Sequence, residues 1–307
     1  MKILFLSDTG QSLGLALRLS HDGHKILYGL LNTCKTPGLG EQLVPRVLKV
    51  RPDIRAVFHL RKQFPFDALI FDDDRHRELV QHLILRGIPV FGAFYPSKDG
   101  EGEAPESCRI SGQLNWGGQR VLSFEGAVLF HPSRRRIAAV AIGEITTARA
   151  EGSGSCLETR FLAADDTLLS YTQEVLPGVM GALLERVEND AGELFGGQRG
   201  AVLSYRSTSL AVAIDPEPGA GAALEAVADE ALKHVCPVSC RIGGGTAGFQ
   251  SLVSLSNGPM CYVTAWGVNF NEAERRVRKT LERVSPIHVR YRNHVEEALA
   301  PLLHVMV

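Results

Sequence analysis

The first hundred residues constrain the fold most, because short unbroken apolar runs alternate there with helical periodicity. KILFLS (2–7), KILYGL (25–30), DALIFD (67–72) and IPVFG (88–92) each read as a strand covered on both faces. A strand with one wet face would alternate apolar and polar residues instead. Ser12 precedes Leu13, Leu15, Ala16, Leu17 and Leu19, a helix stopped by Gly23. RHRELVQHLILRG gives a second helix, with Leu79, Val80, Leu83 and Ile84 on one face and Gly87 as its stop. RAVFHL (55–60) fits either a strand or a helix. Strand–helix–strand repetition implies a parallel sheet with right-handed crossovers. Ligands of such sheets bind beyond the carboxyl ends of the strands, which makes 8–14 and 71–77 the expected place for a small-molecule site.

Further on the pattern changes. Residues 95–112 are polar and rich in Gly, Pro and Glu, as a linker or exposed loop would be. VLSFEGAVLF (121–130) and RIAAVAIGEI (136–145) read as a hairpin joined by HPSRR. A long helix is expected over 167–188, with Leu169, Leu176, Val179, Leu183 and Val187 on its inner face. Strands are expected near 201–205 and 210–214, a helix near 221–234, then strands near 237–242, 250–256 and 260–266. IGGGTAGF (242–249) lacks the lysine of a phosphate-binding loop and reads as a tight turn between strands. The last helix is expected from 272, with Asn271 as N-cap and Glu274 at N3. Its Arg275, Arg276, Arg278 and Lys279 form a solvated basic face or an anion site.

Charge is nearly balanced, 33 basic against 34 acidic residues, which argues against a nucleic-acid-coating protein. No run approaches the roughly 18 apolar residues of a membrane span. MKILFLSDTG turns straight from an apolar run to Asp8 and Gly10 without a signal-peptide pattern, so a cytoplasmic protein is expected. The six cysteines fit reduced thiols. Cys236 and Cys240 are the only close pair, and zinc motifs usually show two such pairs. His21 and His24 read as a solvated turn rather than a ligand pair.

Several segments, in order and spacing, resemble glycinamide ribonucleotide synthetase (phosphoribosylamine–glycine ligase), an ATP-grasp family of purine biosynthesis. They are MKILFLSDTG, GIPVFGAFYPSK (87–98), ETRF (158–161), Gly244-Gly245-Thr246, VTAWG (263–267) and VSPIHVRYRNHVEEAL, with Tyr291 and Arg292. The likeness covers most of 1–98 and 150–299. It implies an α/β chain made of a Rossmann-like parallel sheet (1–98), a linker (99–112), a reduced ATP-grasp remnant (113–197) and an α+β C-terminal module (198–307).

The resemblance also implies roles. Gly10, Gln11, Ser12 and Gly14 would hold a substrate phosphate, Glu158 would hold Mg2+ and Arg160 the phosphates of ATP. Asp72, Asp73, Asp74 and Arg292 are further candidates. The departures from the family are equally specific. Its G-R-E-H-A continues here as Gly10, Gln11, Ser12, Leu13 and Gly14. Its G-P-E is replaced by Asp72, Asp73 and Asp74, read as a solvated acidic loop in preference to a metal site. Cys156 stands where its metal step expects an oxygen ligand, and thiols are poor ligands for hard cations. About 20 residues span the gap where the family carries its ATP-clamping subdomains, fewer than the ~50 of a small domain.

Two functions follow. One is a shortened homologue with weak or no ligase activity that binds a phosphorylated small molecule, a nucleotide or a partner protein; the missing clamp favours this one. The other is an active amine–carboxylate ligase using ATP and Mg2+, on this or another substrate or with a partner chain completing the site. Oligomeric state is left open.

Overall fold

Alternate residues of the first strand enter two different cores. In β1 (Lys2–Ser7), Ile3 and Phe5 face one apolar cluster while Leu4 and Leu6 face another. Burying each such side chain contributes about 2 kcal/mol. The computed structural model that shows this describes residues 1–45, 47–95, 97–99, 105–116, 119–131, 136–147, 154–163, 165–188, 190–192, 195, 208–217, 221–228, 230–246, 249–292 and 295–303.

Around β1 lie β2 (Lys25–Leu31), β3 (Val47–Val50), β4 (Ala68–Phe71) and β5 (Val90–Phe91), all parallel, in the order β5-β4-β1-β2-β3. Strand order reverses between β1 and β4, the switch point at which α/β sheets open a crevice. Helix α1 (Leu13–His21) covers the first cluster; α2 (Ile54–Gln63) and α3 (Arg77–Ile84) cover the second with Val57, Val80 and Leu83. RAVFHL is thus helical.

The next strands are β6 (Lys98–Asp99), β7 (Ser107–Trp116), β8 (Gln119–Phe130), β9 (Ile137–Thr147), β10 (Gly154–Leu162) and β11 (Leu168–Thr172), followed by α4 (Pro177–Arg186). Later come β12 (Thr208–Pro216), β13 (Ala223–Ala228), β14 (Val235–Pro237), β15 (Cys240–Thr246), β16 (Phe249–Ser254), β17 (Cys261–Gly267), α5 (Phe270–Arg283), β18 (Ser285–Ile287), β19 (Val289–Arg290) and α6 (Val295–Leu303). Among the described residues one sheet runs β14-β17-β12-β9-β8-β7-β10-β5-β4-β1-β2-β3, and a smaller one runs β15-β16-β13-β18. Among the described residues, two pairs, Gly154–Val90 and Ser155–Phe91, join the antiparallel half of the large sheet to the parallel half. The fold is the expected mixed α/β class. No helix among the described residues is long and apolar enough to cross a membrane.

Four local expectations are corrected. The helix expected over 167–188 is a strand, β11, then α4 alone. Pro177 opens that helix because its ring and missing N–H suit only the first turn. The helix expected near 221–234 is β13 plus a 3-10 turn at Ala231–His234. Pairing of β13 with β16 on one side and β18 on the other overrides the helical propensity of its alanines. Residues 107–112 of the expected loop form part of β7. The N-cap of the last long helix is Asn269, not Asn271: Asn269 accepts from the Glu272 amide at 3.0 Å, and Glu272 accepts from the Val268 amide at 3.0 Å. The strand expected at 201–205 and most of HPSRR lie outside the described residues.

Candidate functional site

The loops after β1 and β4 meet at the switch point. Asp8 follows β1, and Asp72, Asp73 and Asp74 follow β4. Asp8 and Asp73 have side chains only 2% and 4% exposed. Buried charges need partners, and these have them. Arg75 Nη2 lies 2.6 Å from Asp73 Oδ2 and 3.3 Å from Asp8 Oδ2. His76 Nε2 lies 2.9 Å from Asp8 Oδ2, and Thr33 donates its hydroxyl to Asp8 Oδ1. Asp74 accepts from the Ser97 amide at 2.8 Å.

Asp72 goes deeper. Its Oδ2 accepts from Ser7 Oγ at 2.5 Å, the Ser12 amide at 3.0 Å and Ser12 Oγ at 2.9 Å. Burial, with Asp73 beside it, pushes its carboxyl up to about 6 against the lowering effect of those donors. The run 72–74 is therefore not the solvated loop expected. Two of its three carboxylates are buried, because the chain must cross the sheet's top edge where α1 and the segment after β11 close over it. Glu174 arrives from that segment. Burial, then Asp74 and Asp73, raises its carboxyl to about 7.

Around Asp72, three buried polar atoms have no hydrogen-bond partner among the described residues: Asp72 Oδ1, Thr9 Oγ1 and Gln11 Oε1. Such atoms are costly and point to a group that is not protein. Asp8, Asp73 and His76 could also hold a metal, since one ligand atom from each lies within 4.8 Å of the others. Carboxylate and imidazole donors suit a divalent ion. Arg75 already supplies a cation between the two carboxylates.

The loop expected to hold a phosphate is closed. Gly10 has φ +83°, which only glycine adopts cheaply, and a β-carbon there would lie 2.5 Å from the Val238 carbonyl oxygen. Val238 and Leu39 thus roof the loop. The Gly10 amide donates to Ser7 Oγ at 2.8 Å, Ser12 donates to Asp72, and the Leu13 amide donates to Gly10. Ser12 is fully buried, and Gly14 packs against Cys236.

Glu158 and Arg160 lie on a different surface, the face of β10 whose strand neighbours present Gln113, Ser111 and Tyr171. Two residues apart, they share a side of the strand. Glu158 Oε1 is 3.0 Å from Arg160 Nε and 2.7 Å from Arg160 Nη2. Burial, then Glu158, raises the Cys156 thiol to about 12, and it receives Gln173 Nε2 at 3.5 Å. One buried carboxylate closed by arginine, with a neutral thiol beside it, is a poor seat for Mg2+.

Gln173 ties this face to the edge: its Oε1 accepts from the amides of Phe94 and Tyr95 at 2.7 and 3.0 Å. Arg292 is remote from both, paired with Glu106 at 2.7 Å. Cys236 and Cys240 are buried thiols raised by burial to about 12. His24, expected in a solvated turn, has a side chain only 7% exposed and sits 2.6 Å from Asp190. Sequence reasoning singled out the stretches holding Asp8 and His76, and missed Thr33, Gln173 and Glu174. The polar triplet Thr172-Gln173-Glu174 ahead of Pro177 was the only signal for the last two.

A doubly covered parallel sheet continued by an antiparallel one makes this a mixed α/β fold. Among solved structures, the chain is similar to phosphoribosylamine–glycine ligase from Thermotoga maritima (TM-score 0.57, 9% identity, 95% of this chain and 99% of that chain). It is also similar to biotin carboxylase from Campylobacter jejuni, solved as a complex with β-γ-ATP (0.55, 10%, 94% and 92%). A third similarity is to pyruvate carboxylase from Rhizobium etli (0.57, 13%), where 94% of this chain spans about a third, 33%, of that one. No protein-family model matches the sequence, and no curated protein does.

Proposed function

We propose that this chain is a ligand-binding protein on an ATP-grasp-like fold, with weak or no ligase turnover, and that its ligand seat is the acidic sheet edge. The observation that carries this reading is the closure of Glu158 by two nitrogens of Arg160. Phosphoryl transfer needs metal and cation clamps aimed at phosphates, and here the candidate metal ligand and the candidate phosphate cation satisfy each other. The unpartnered carboxylate and amide oxygens of Asp72 and Gln11, with the Thr9 hydroxyl beside them and Asp8, Asp73, Asp74 and Glu174 around them, favour the amine or hydroxyl end of a small molecule over its phosphate.

The expected result is no ADP release above background with Mg-ATP, glycine and phosphoribosylamine, against an authentic phosphoribosylamine–glycine ligase as positive control. ADP release that Glu158→Gln abolishes would overturn the reading. It would support instead the second one, an active amine–carboxylate ligase of purine biosynthesis using ATP and Mg2+. The nearly end-to-end match to the Thermotoga maritima ligase favours that alternative.

A further inference from the structure

The two basic helices of this protein are built differently. On α5, Arg275 and Arg276 pair with Glu272 and Arg278 pairs with Glu274, each acid three or four residues earlier. On α2, ten residues carry Arg55, His59, Arg61 and Lys62 and no acid. Arg55, Phe58, His59 and Lys62 follow i, i+3, i+4, i+7 spacing and share one face. Like charges so spaced repel one another. Arg55 also sits in the first turn, where the helix dipole disfavours a cation. Among the described residues neither Arg55 nor Lys62 makes an ion pair. Arg61 is accounted for, 5.6 Å above the Phe66 ring.

These cations flank an open groove of about 400 Å³, lined by Ile54, Arg55, Phe58, His59, Lys62 and Arg86, with no carboxylate in its wall. That volume falls within the ~300–1,000 Å³ of small-molecule sites. Arg86 is exposed and comes from the turn after α3; its Nη1 reaches the His82 carbonyl at 3.2 Å. Ile54 and Phe58, both partly buried, give the groove an apolar floor. In a parallel sheet with crossover helices, the ends of α2 and α3 lie toward the starts of the strands. Lys62 and Arg86 are therefore at the opposite edge from Asp8 and Asp73.

We propose that this α2–α3 groove binds a phosphate-bearing small molecule of mononucleotide size, with Arg55, Lys62 and Arg86 on the phosphate oxygens and the organic part against Phe58. Arginine and lysine grip phosphate through charge-assisted hydrogen bonds. The near-neutral chain and the small extent of the patch favour a discrete anion over a polymer. The site is separate from the acidic edge and stands or falls independently of the function proposed above.

The test is calorimetric titration of the full chain with ADP, AMP, inorganic pyrophosphate and adenosine, with amide shifts mapped by NMR. Binding of ADP is expected, with adenosine at least about tenfold weaker, and shifts are expected on α2. Lys62→Glu and Arg86→Glu should each weaken ADP about tenfold, as loss of one charge-assisted contact does. Added salt should weaken it too. Arg283→Glu, an exposed charge reversal on α5 outside the groove, should leave ADP affinity unchanged. Pyrophosphate binding as well as ADP would also support the site, because the phosphate is the shared chemistry. All three cations are exposed, and Lys62→Gln serves if the reversal fails to fold. No ADP binding, or ADP affinity indifferent to the Arg55, Lys62 and Arg86 changes, overturns the proposal. So does tighter binding of a single-stranded oligonucleotide than of ADP.

Discussion

The sheet edge and the β10 face both carry carboxylates, yet they solve the charge problem in opposite ways. At the edge, Asp8, Asp72 and Asp73 are taken out of water and held by several donors from separate segments. On β10, Glu158 is neutralised by a neighbour two residues away whose own side chain is 53% exposed. The first arrangement requires the fold; the second needs little more than an extended strand. Desolvated groups with shifted proton affinities are the usual material of functional sites, whereas a pair made within one strand is a common surface device.

The comparison is broken most forcefully at Gly10. Gly10→Ala must accept positive φ and push aside Val238, and should cost about 4 kcal/mol in urea unfolding. A cost below about 1 kcal/mol would mean that the roof over the edge is soft.

Next in size is a pH effect. Asp72 is raised in the folded state, so folding takes up a proton between its unfolded value near 4 and its folded value of about 6. The Asp72 contribution to stability is then largest below pH 4 and falls as pH rises to about 7, by roughly 2–3 kcal/mol. Glu174, raised to about 7, adds a fall of the same sign and comparable size at slightly higher pH. Asp72→Asn should remove its share of the decline, about half, leaving that of Glu174 at higher pH. An unchanged profile would show that Asp72 titrates normally.

The smallest effect belongs to β10. Glu158→Gln should cost less than about 1 kcal/mol, because Arg160 can turn to water. A loss as large as that at Gly10 would erase the distinction between the two regions.

The N-terminal layer was legible because burial and periodicity agree there: every apolar run of β1, β2 and β4 is covered on both faces. Residues 223–228 misled because alanine-rich sequence reads as helix, while their partners in β16 and β18 lie dozens of residues away. The cap misled for a local reason. VNFNEAE offers two overlapping boxes, Asn269 with Glu272 and Asn271 with Glu274, and sequence cannot rank them. In the structure Glu274 is buried and bonded to Arg278. The edge stretches 8–14 and 71–77 followed from topology alone. Their burial did not, because what covers them, Val238 and the segment around Glu174, comes from far along the chain.

The two-pair ladder between β5 and β10 is, with that between β4 and β5, a narrow joint of the large sheet; Asp73 follows β4 and Arg160 lies on β10, the strands on either side of β5. A molecule long enough to grip both would act as a clasp across that joint. Its arrival would be felt as stiffening of the backbone at Val90, Phe91, Gly154 and Ser155, the residues that pair across the joint.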